Sequence, residues 1–247
     1  MRRVFFNLLT GLFFYINTAA AQQKEVTEQF QSWVGYMTST RITEKFSWWN
    51  DFHYVPGGFF VARTGLTYHF PQRVNITGGY GFLELPTGSI GKELKRREHR
   101  PWGQLVVSNP ISDNWSNTMR IRYDARFRKN IENGEIVDGY TFNHRLRMMA
   151  SFRKQFPQLK PKDDWMPFLS LADEILINFG KNIVYNHLDQ NRVTVTLGMQ
   201  HKSLTMQVGY MNRFVQLASG NQFIMNHTAV LWMTHSFDRR RVIAPLP

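Results

Sequence analysis

The sequence predicts an all-β fold, a transmembrane antiparallel up-and-down β-barrel of about 12 strands (10–12), preceded by a cleaved signal peptide. Three observations predict it: apolar and polar residues alternate with a period of two after residue 22, the alternating runs are about ten residues long, and aromatic residues gather near their ends. A period of two puts one kind of side chain on each face of a strand. Tilted strands of about ten residues cross the hydrocarbon of a bilayer, whereas strands in soluble proteins are nearer five or six residues long.

The N-terminus has the three parts of a secretory signal. Arg2 and Arg3 form a basic start, residues 4–16 form an apolar run, and Ala19 to Ala21 form a small-residue cleavage site. The apolar run is too short to span a bilayer as a helix. We therefore expect a signal peptide at 1–21 and a single barrel domain at 22–247, because no Pro/Gly/Ser-rich linker divides the remainder.

The strands follow one another between turn signals such as Asn133-Gly134 and Gly220-Asn221. In residues 119–128, apolar or aromatic positions alternate with Arg120, Arg122, Asp124 and other charged residues. Eleven such runs are recognisable, and because single-chain bacterial barrels normally have even strand numbers, we expect twelve strands rather than ten. The runs begin near Gln29, Lys45, Phe59, Arg73, Glu98, Trp115, Gly139, Trp165, Asn191, Ser203 and Phe223.

The distribution of basic residues favours a membrane barrel over a soluble one. Lysines fall in the presumed turns or at strand ends, whereas the cations in the middle of strands are nearly all arginine. A guanidinium suits a confined polar interior that contains carboxylates. The last run ends at Phe237, an aromatic terminus typical of outer-membrane barrels, although residues 238–247 follow it. A soluble lipocalin-like binder, with its arginine face outside, is the competing class.

Short motifs along the mature chain carry a family resemblance. They are Trp33, Glu98-x-Arg100-x-Trp102, Asp173-Glu174 within residues 169–178, Gln190-Asn191-Arg192 and Gly209-Tyr210. With these motifs the chain resembles a family of small, uncharacterised Bacteroidetes-type outer-membrane proteins, classed as a domain of unknown function. The resemblance implies a barrel in the bacterial outer membrane, surrounded by lipid and lipopolysaccharide, and it implies no activity.

Composition narrows the chemistry. The chain has no cysteine, which excludes disulfides and thiolate sites. Its formal net charge of +12 suits anionic lipid or a small anionic solute, and we do not expect an exported barrel to bind nucleic acid. We find neither a Gly-x-Ser-x-Gly elbow nor a spacing of metal ligands, so no catalytic residue, metal or cofactor is expected.

The charged parity of the strands predicts a charge network in the lumen. Glu98 and Glu174 are the expected central acceptors, with Arg100 and Arg192 as neighbours. The full set is Glu98, Arg100, Arg120, Arg122, Asp124, Arg126, Arg145, Arg147, Glu174 and Arg192. One interpretation is a structural filling of a narrow barrel by paired charges. The other is an anion-selective pore or pocket, porin-like in its lining, unless acids predicted in loops (Asp163, Asp164 and Asp189) fold in and cancel the excess of arginine.

An outer-membrane lipid-modifying enzyme is the remaining alternative. His53, Asp51 and His69 would be its first candidates, since Asp51 and His53 share a strand face. The longest predicted loops, 85–97 and 179–188, are expected to be extracellular.

Overall fold

Eleven β-strands form one closed barrel in the computed structural model, which describes residues 24–86, 94–161 and 164–240. The predicted signal peptide lies outside those residues. The strands are β1 Glu25–Arg41, β2 Phe46–Tyr54, β3 Phe60–His69, β4 Val74–Pro86, β5 Lys95–Ser112, β6 Trp115–Glu132, β7 Glu135–Gln155, β8 Met166–Phe179, β9 Leu188–His201, β10 Leu204–Gln216 and β11 Gln222–Asp238. Two 3₁₀ turns lie between strands, Pro71–Arg73 between β3 and β4 and Pro157–Leu159 between β7 and β8. None of the described helical segments is long and apolar enough to cross a membrane.

The all-β prediction and the barrel are confirmed, but the expectation of twelve strands is wrong for the described chain. Each strand pairs antiparallel with its sequence neighbour, and the ring closes where β1 and β11 pair in parallel, from Glu25↔Gln222 to Arg41↔Asp238. Because the first and last strands pair in parallel, the ring closes with an odd number of strands. The described ring is continuous and has no gap for a twelfth strand. An odd strand number also places the two ends of the barrel chain at opposite rims.

Local chemistry explains where the strands turn. Between β6 and β7 the two-residue turn Asn133-Gly134 has positive φ at both positions, 51° and 78°, the backbone that joins two antiparallel strands tightly. Asparagine and glycine adopt this conformation most readily. The predicted strand starts agree with the observed ones to within about four residues, and the largest differences are at β1 and β7, whose polar ends lack clear alternation.

The alternation separates an apolar exterior from a charged interior. On β6, Met119 and Ile121 are 51% and 52% exposed. The next residue, Arg122, has the opposite parity and is 1% exposed. The same pattern holds on β9, where Leu197 is 62% exposed and Thr196 is buried. Apolar side chains on the outside and arginines on the inside are the reverse of what a soluble barrel requires.

The two rims differ in their connections. The rim at which β1 begins, called here the first rim, carries the β2–β3 and β10–β11 turns, the β8–β9 connection 180–187 and the β4–β5 connection. Residues 87–93 of that last connection are outside the described chain. The opposite, second rim carries the β1–β2 and β9–β10 turns, the end of β11 and the β7–β8 connection 156–165. At ten residues this connection is longer than 87–94 or 180–187, so the prediction that the longest connections are 85–97 and 179–188 is wrong. The two connections that we expected to be extracellular therefore share one rim with the start of β1.

Candidate functional site

Glu174 lies at the centre of one of two charge clusters in the lumen, among three arginines. It accepts hydrogen bonds from Arg120 on β6 (2.6 Å), from Arg147 on β7 (2.9 and 3.0 Å) and from Arg192 on β9 (3.3 Å). These four residues have the same inward parity on adjacent strands, and alternation therefore brings them together. The two bonds from Arg147 form the bidentate contact that favours arginine over lysine.

Glu98 forms a second centre nearer the first rim. Its side chain is fully buried and accepts two hydrogen bonds of 3.1 Å from Arg126 and one of 2.6 Å from Arg100. Arg128 approaches it at 3.0 Å. A carboxylate without solvent would be strongly disfavoured unless several donors replaced the lost water, and these three arginines do so.

Asp124 connects the two centres. It accepts a hydrogen bond of 3.0 Å from Arg122 and lies 3.8 Å from both Arg100 and Arg147. Because Arg100 also bonds to Glu98 and Arg147 also bonds to Glu174, the charges form one continuous network. The structure thus places all ten predicted lumen residues in the interior, and nine of them are joined directly by these contacts.

The network also contains residues that sequence reasoning did not include. Asp189, predicted as a loop acid, lies on β9 beside a register shift at Leu176/Ile177 and pairs with Arg145 at 2.6 Å. Asn178 bridges them, since its amide donates to Asp189 (2.8 Å) and its carbonyl accepts from Arg145 and Arg126 (3.3 and 3.2 Å). Asn178 has the inward parity of Glu174, and that parity was the available signal.

The other two acids predicted in loops are not part of the network of the described residues. Asp164 lies on the outside, 2.6 Å from Lys160. Asp163 lies outside the described residues. Among the described residues, Asp189 is the acid of these three that folds into the lumen and partly neutralises the arginines.

The histidine candidates are held by their neighbours. Trp33 points inward, and its indole N–H donates to Nδ1 of His53 (2.9 Å), while Nε2 of His53 lies 2.8 Å from Asp51. Arg63 donates to the other Asp51 oxygen at 2.6 Å. Both ring nitrogens of His53 are therefore occupied, and the contacts described for it include no hydroxyl nucleophile. His69 bonds to Ser47 and Asn75 instead, so the three candidates do not form one site.

A cavity of about 630 Å³ occupies the lumen and reaches the first rim at Pro86. Nine arginines line it against three carboxylates, Asp51, Glu174 and Asp189. The arginines are Arg63, Arg100, Arg120, Arg126, Arg128, Arg145, Arg147, Arg192 and Arg213. Glu98 and Asp124 lie behind them, so the carboxylates remain outnumbered.

The cavity has two chemically different walls, which are formed by different strands. Strands β5, β6, β7 and β9 supply seven of the nine arginines, whereas the wall formed by β10, β11 and β1 to β4 is mainly apolar. The apolar wall consists of Trp33, Met37, Trp49, Phe59, Val61, Leu83, Leu85, Pro86, Met211, Val215 and Trp232. A buried cluster of Trp33, Val55, Met211 and Val230 supports it from behind.

Arg213 differs from the other lining arginines. It lies on β10 within the apolar wall, 5.9 Å from the Phe59 ring centroid. Its buried Nε has no hydrogen-bond partner, and no carboxylate in the described chain lies within the 4.0 Å of an ion pair. A cation held in this way provides hydrogen-bond donors for a negatively charged group.

Towards the second rim, Arg153 and the buried Phe168 ring lie in contact inside the barrel. There the Arg153 guanidinium lies 3.8 Å from the centroid of the buried Phe168 ring, and Gly198 opposite leaves room for that ring, since a Cβ at Gly198 would lie 2.1 Å from it. A second cavity of about 500 Å³ opens on this side, lined by Arg153, Ser170, Gln207 and other polar residues. Thr118 borders both cavities.

Comparison with known proteins identifies a family without assigning an activity. A family model described as "Protein of unknown function (DUF2490)" matches residues 30–223, which covers most of the barrel. Neither the search of curated proteins nor the search of solved structures gives a match. Among the described residues, no cluster of three His, Cys, Asp or Glu side chains could hold a metal ion.

Proposed function

We propose that this chain, which belongs to the family described as protein of unknown function (DUF2490), is an outer-membrane β-barrel whose lumen is filled by an arginine–carboxylate network. The observation that carries the proposal is the exposure of large apolar side chains around the ring. Exposed apolar patches of this extent are rare on soluble monomers, and a bilayer would cover them.

Aromatic side chains towards both rims support this location. Towards the first rim, the Lys129 ammonium lies 5.2 Å from the Tyr140 ring centroid, and Tyr54 and Phe179 are exposed at the ends of β2 and β8. At the second rim, the Lys154 ammonium lies 4.7 Å from the Trp115 ring centroid. Aromatic rings with a polar edge, and lysines beside them, suit the boundary between lipid and water.

Fractionation of cells that express the full chain tests the location. We expect the protein to sediment with the outer membrane, to need detergent for extraction, and to migrate faster on a gel before boiling than after it. Leu197→Arg should reduce insertion, because an arginine on the lipid face costs about 2–4 kcal/mol near the bilayer centre. Ser203→Arg, in the exposed β9–β10 turn, is the control and should insert normally. Release of the folded protein by an osmotic wash would overturn the proposal.

A second function, binding of anions in the lumen, is favoured by the excess of arginine in the cavity. Nine arginines face three carboxylates there, and the field of unneutralised guanidinium groups in a confined space attracts phosphate or carboxylate groups. The network fixes the arginine side chains before a ligand arrives, which lowers the entropic cost of binding. The contact of Arg153 with the buried Phe168 ring on the second-rim side favours a pocket over a through-going path.

Calorimetric titration of the refolded mature protein with inorganic phosphate tests this second function. We expect saturable binding that Arg213→Gln weakens and Arg153→Gln, a lumen arginine outside the cavity, leaves unchanged. Absence of phosphate binding by the folded protein would refute it. Anion-selective conductance steps in a planar bilayer would show that the lumen is a pathway instead of a pocket.

A further inference from the structure

We infer that the lumenal cavity is a site for a single-chain amphiphile with an anionic head, a phosphate or a carboxylate. The inference rests on the proposed anion-binding function and adds the chemical class of the ligand. It follows from three features of the cavity: its size, its two unlike walls and the position of Arg213.

The size of the cavity exceeds what a small anion requires. Its volume of about 630 Å³ lies within the range of about 300–1,000 Å³ that is typical of pockets for organic ligands. An inorganic oxyanion bound to the arginines would leave most of this space to water. That water would lie against the apolar wall, where it finds few hydrogen-bond partners.

The two walls of the cavity differ in what they can bind. The wall of β5 to β9 offers guanidinium groups, whereas the opposite wall offers the faces and edges of Trp33, Phe59 and Trp232 and the side chain of Met37. Transfer of an alkyl chain from water to such a wall is favourable in proportion to the area buried. A ligand with an anionic end and an apolar end can satisfy both walls at once.

Arg213 and Trp232 provide unpaired donors on the apolar side. The Nε atoms of both side chains are buried without a partner in the described chain, and both residues line the cavity. Buried donors of this kind are usually satisfied by an acceptor. The head of an amphiphile, placed between the walls, would supply acceptor oxygens to Arg213 while its chain lies along the apolar wall.

The cavity also has a route for entry. It extends to Leu85, Pro86 and Val215, which lie at or near the ends of β4 and β10 at the first rim. We therefore expect an amphiphile to enter from that rim, since the Arg153–Phe168 contact lies on the opposite side.

Titration of the refolded mature protein in nonionic detergent with octyl phosphate, octanoate, octanol and inorganic phosphate tests the inference. We expect octyl phosphate to bind at least about tenfold more tightly than inorganic phosphate, since burial of two methylenes is worth about that factor. Octanoate should also bind at least about tenfold more tightly than inorganic phosphate if the site accepts a carboxylate head as well as a phosphate head. Octanol should bind weakly, because it leaves the arginines without an anion.

Two substitutions separate binding of the anionic head from binding of the alkyl chain. Arg213→Gln should weaken binding of octyl phosphate and of inorganic phosphate, whereas Met37→Gln should weaken octyl phosphate alone. Val215→Thr, nearly equal in volume, repeats the second test if Met37→Gln does not fold. Arg153→Gln is the matched control and also reports partition of the ligand into micelles, since it lies outside the cavity.

The outcomes distinguish the two levels of the proposal. Equal binding of octyl phosphate and inorganic phosphate, unaffected by Met37→Gln and Val215→Thr, would overturn the amphiphile site and leave the anion site standing. Binding of octanol as strong as that of octyl phosphate, unaffected by Arg213→Gln, would overturn the requirement for an anionic head. Binding of none of the four would overturn both proposals.

Discussion

At the scale of the residue, adjacent positions on one strand have opposite surroundings. Glu174 points into the lumen among three arginines, whereas the next residue towards the N-terminus, Asp173, points outward and contacts Asn191 at 2.7 Å. The two acids look alike in the sequence. Their difference comes from the two-residue period of the strand, which places successive side chains on opposite faces.

This pair gives a matched test of the network. Glu174→Gln removes the charge that neutralises Arg120, Arg147 and Arg192, and loss of one partner from a buried ion cluster costs about 3–5 kcal/mol. Asp173→Asn keeps an oxygen for Asn191, and we expect it to change the free energy of unfolding by less than about 0.5 kcal/mol. Urea unfolding of the two refolded variants measures both values. Equal stability of the two variants would show that the network contributes nothing to the fold.

At the scale of the element, the closure between β1 and β11 is the feature that the sequence could not predict. Alternation identifies a strand and its two faces, and here it located the strands to within a few residues. It does not reveal whether two strands that are far apart in the chain pair in parallel or antiparallel. We therefore expected an even strand number from the general rule for bacterial barrels. That rule does not hold here, because β1 and β11 pair in parallel, for example at Val34 and Leu231.

Disulfide cross-linking tests this closure cleanly because the chain has no cysteine. Val34→Cys with Leu231→Cys places two outward side chains on directly paired positions, and neighbouring strands lie about 4.8 Å apart, within the range of about 4.4–6.8 Å for the Cα atoms of a disulfide. We expect an oxidised band of altered mobility on a nonreducing gel. Val34→Cys with Leu197→Cys, which lies three strands away on β9, should give none. Cross-linking of the second pair in preference to the first would contradict the observed ring.

The lumen shows the same limit of sequence reasoning. Parity alone predicted that Arg120, Arg147, Glu174 and Arg192 share one side of the sheet, and neighbouring strands then bring them together. The cavity with unlike walls could not be predicted in this way, because it depends on which strands face each other across a closed ring. Asp189 was misplaced for a local reason: the register shift at Leu176/Ile177 interrupts the alternation just where it lies.

At the scale of the whole molecule, the odd strand number gives the barrel two chemically different ends with one chain end at each. The first rim carries the start of β1 and the cavity end at Pro86, and four of its five connections are five to eight residues long. The second rim carries the end of β11, and four of its five connections are two to four residues long, whereas the fifth, 156–165, has ten residues. Most of the longer connections therefore lie at the first rim. In outer-membrane barrels the longer connections face the outside and the short turns face the periplasm. If the barrel lies in the outer membrane, the cavity therefore faces the exterior of the cell.

Single-cysteine labelling tests this orientation with two isosteric substitutions. Ser219→Cys lies in the exposed β10–β11 turn at the first rim, and Ser203→Cys lies in the exposed β9–β10 turn at the second rim. On intact cells a membrane-impermeant maleimide should label Ser219→Cys, because that rim faces the medium, and should label Ser203→Cys after the outer membrane is permeabilised. The reverse pattern would place the cavity mouth in the periplasm, where a ligand would arrive from the cell's own side. Labelling of both turns on intact cells would contradict a membrane-spanning barrel, since no single bilayer can leave both rims outside.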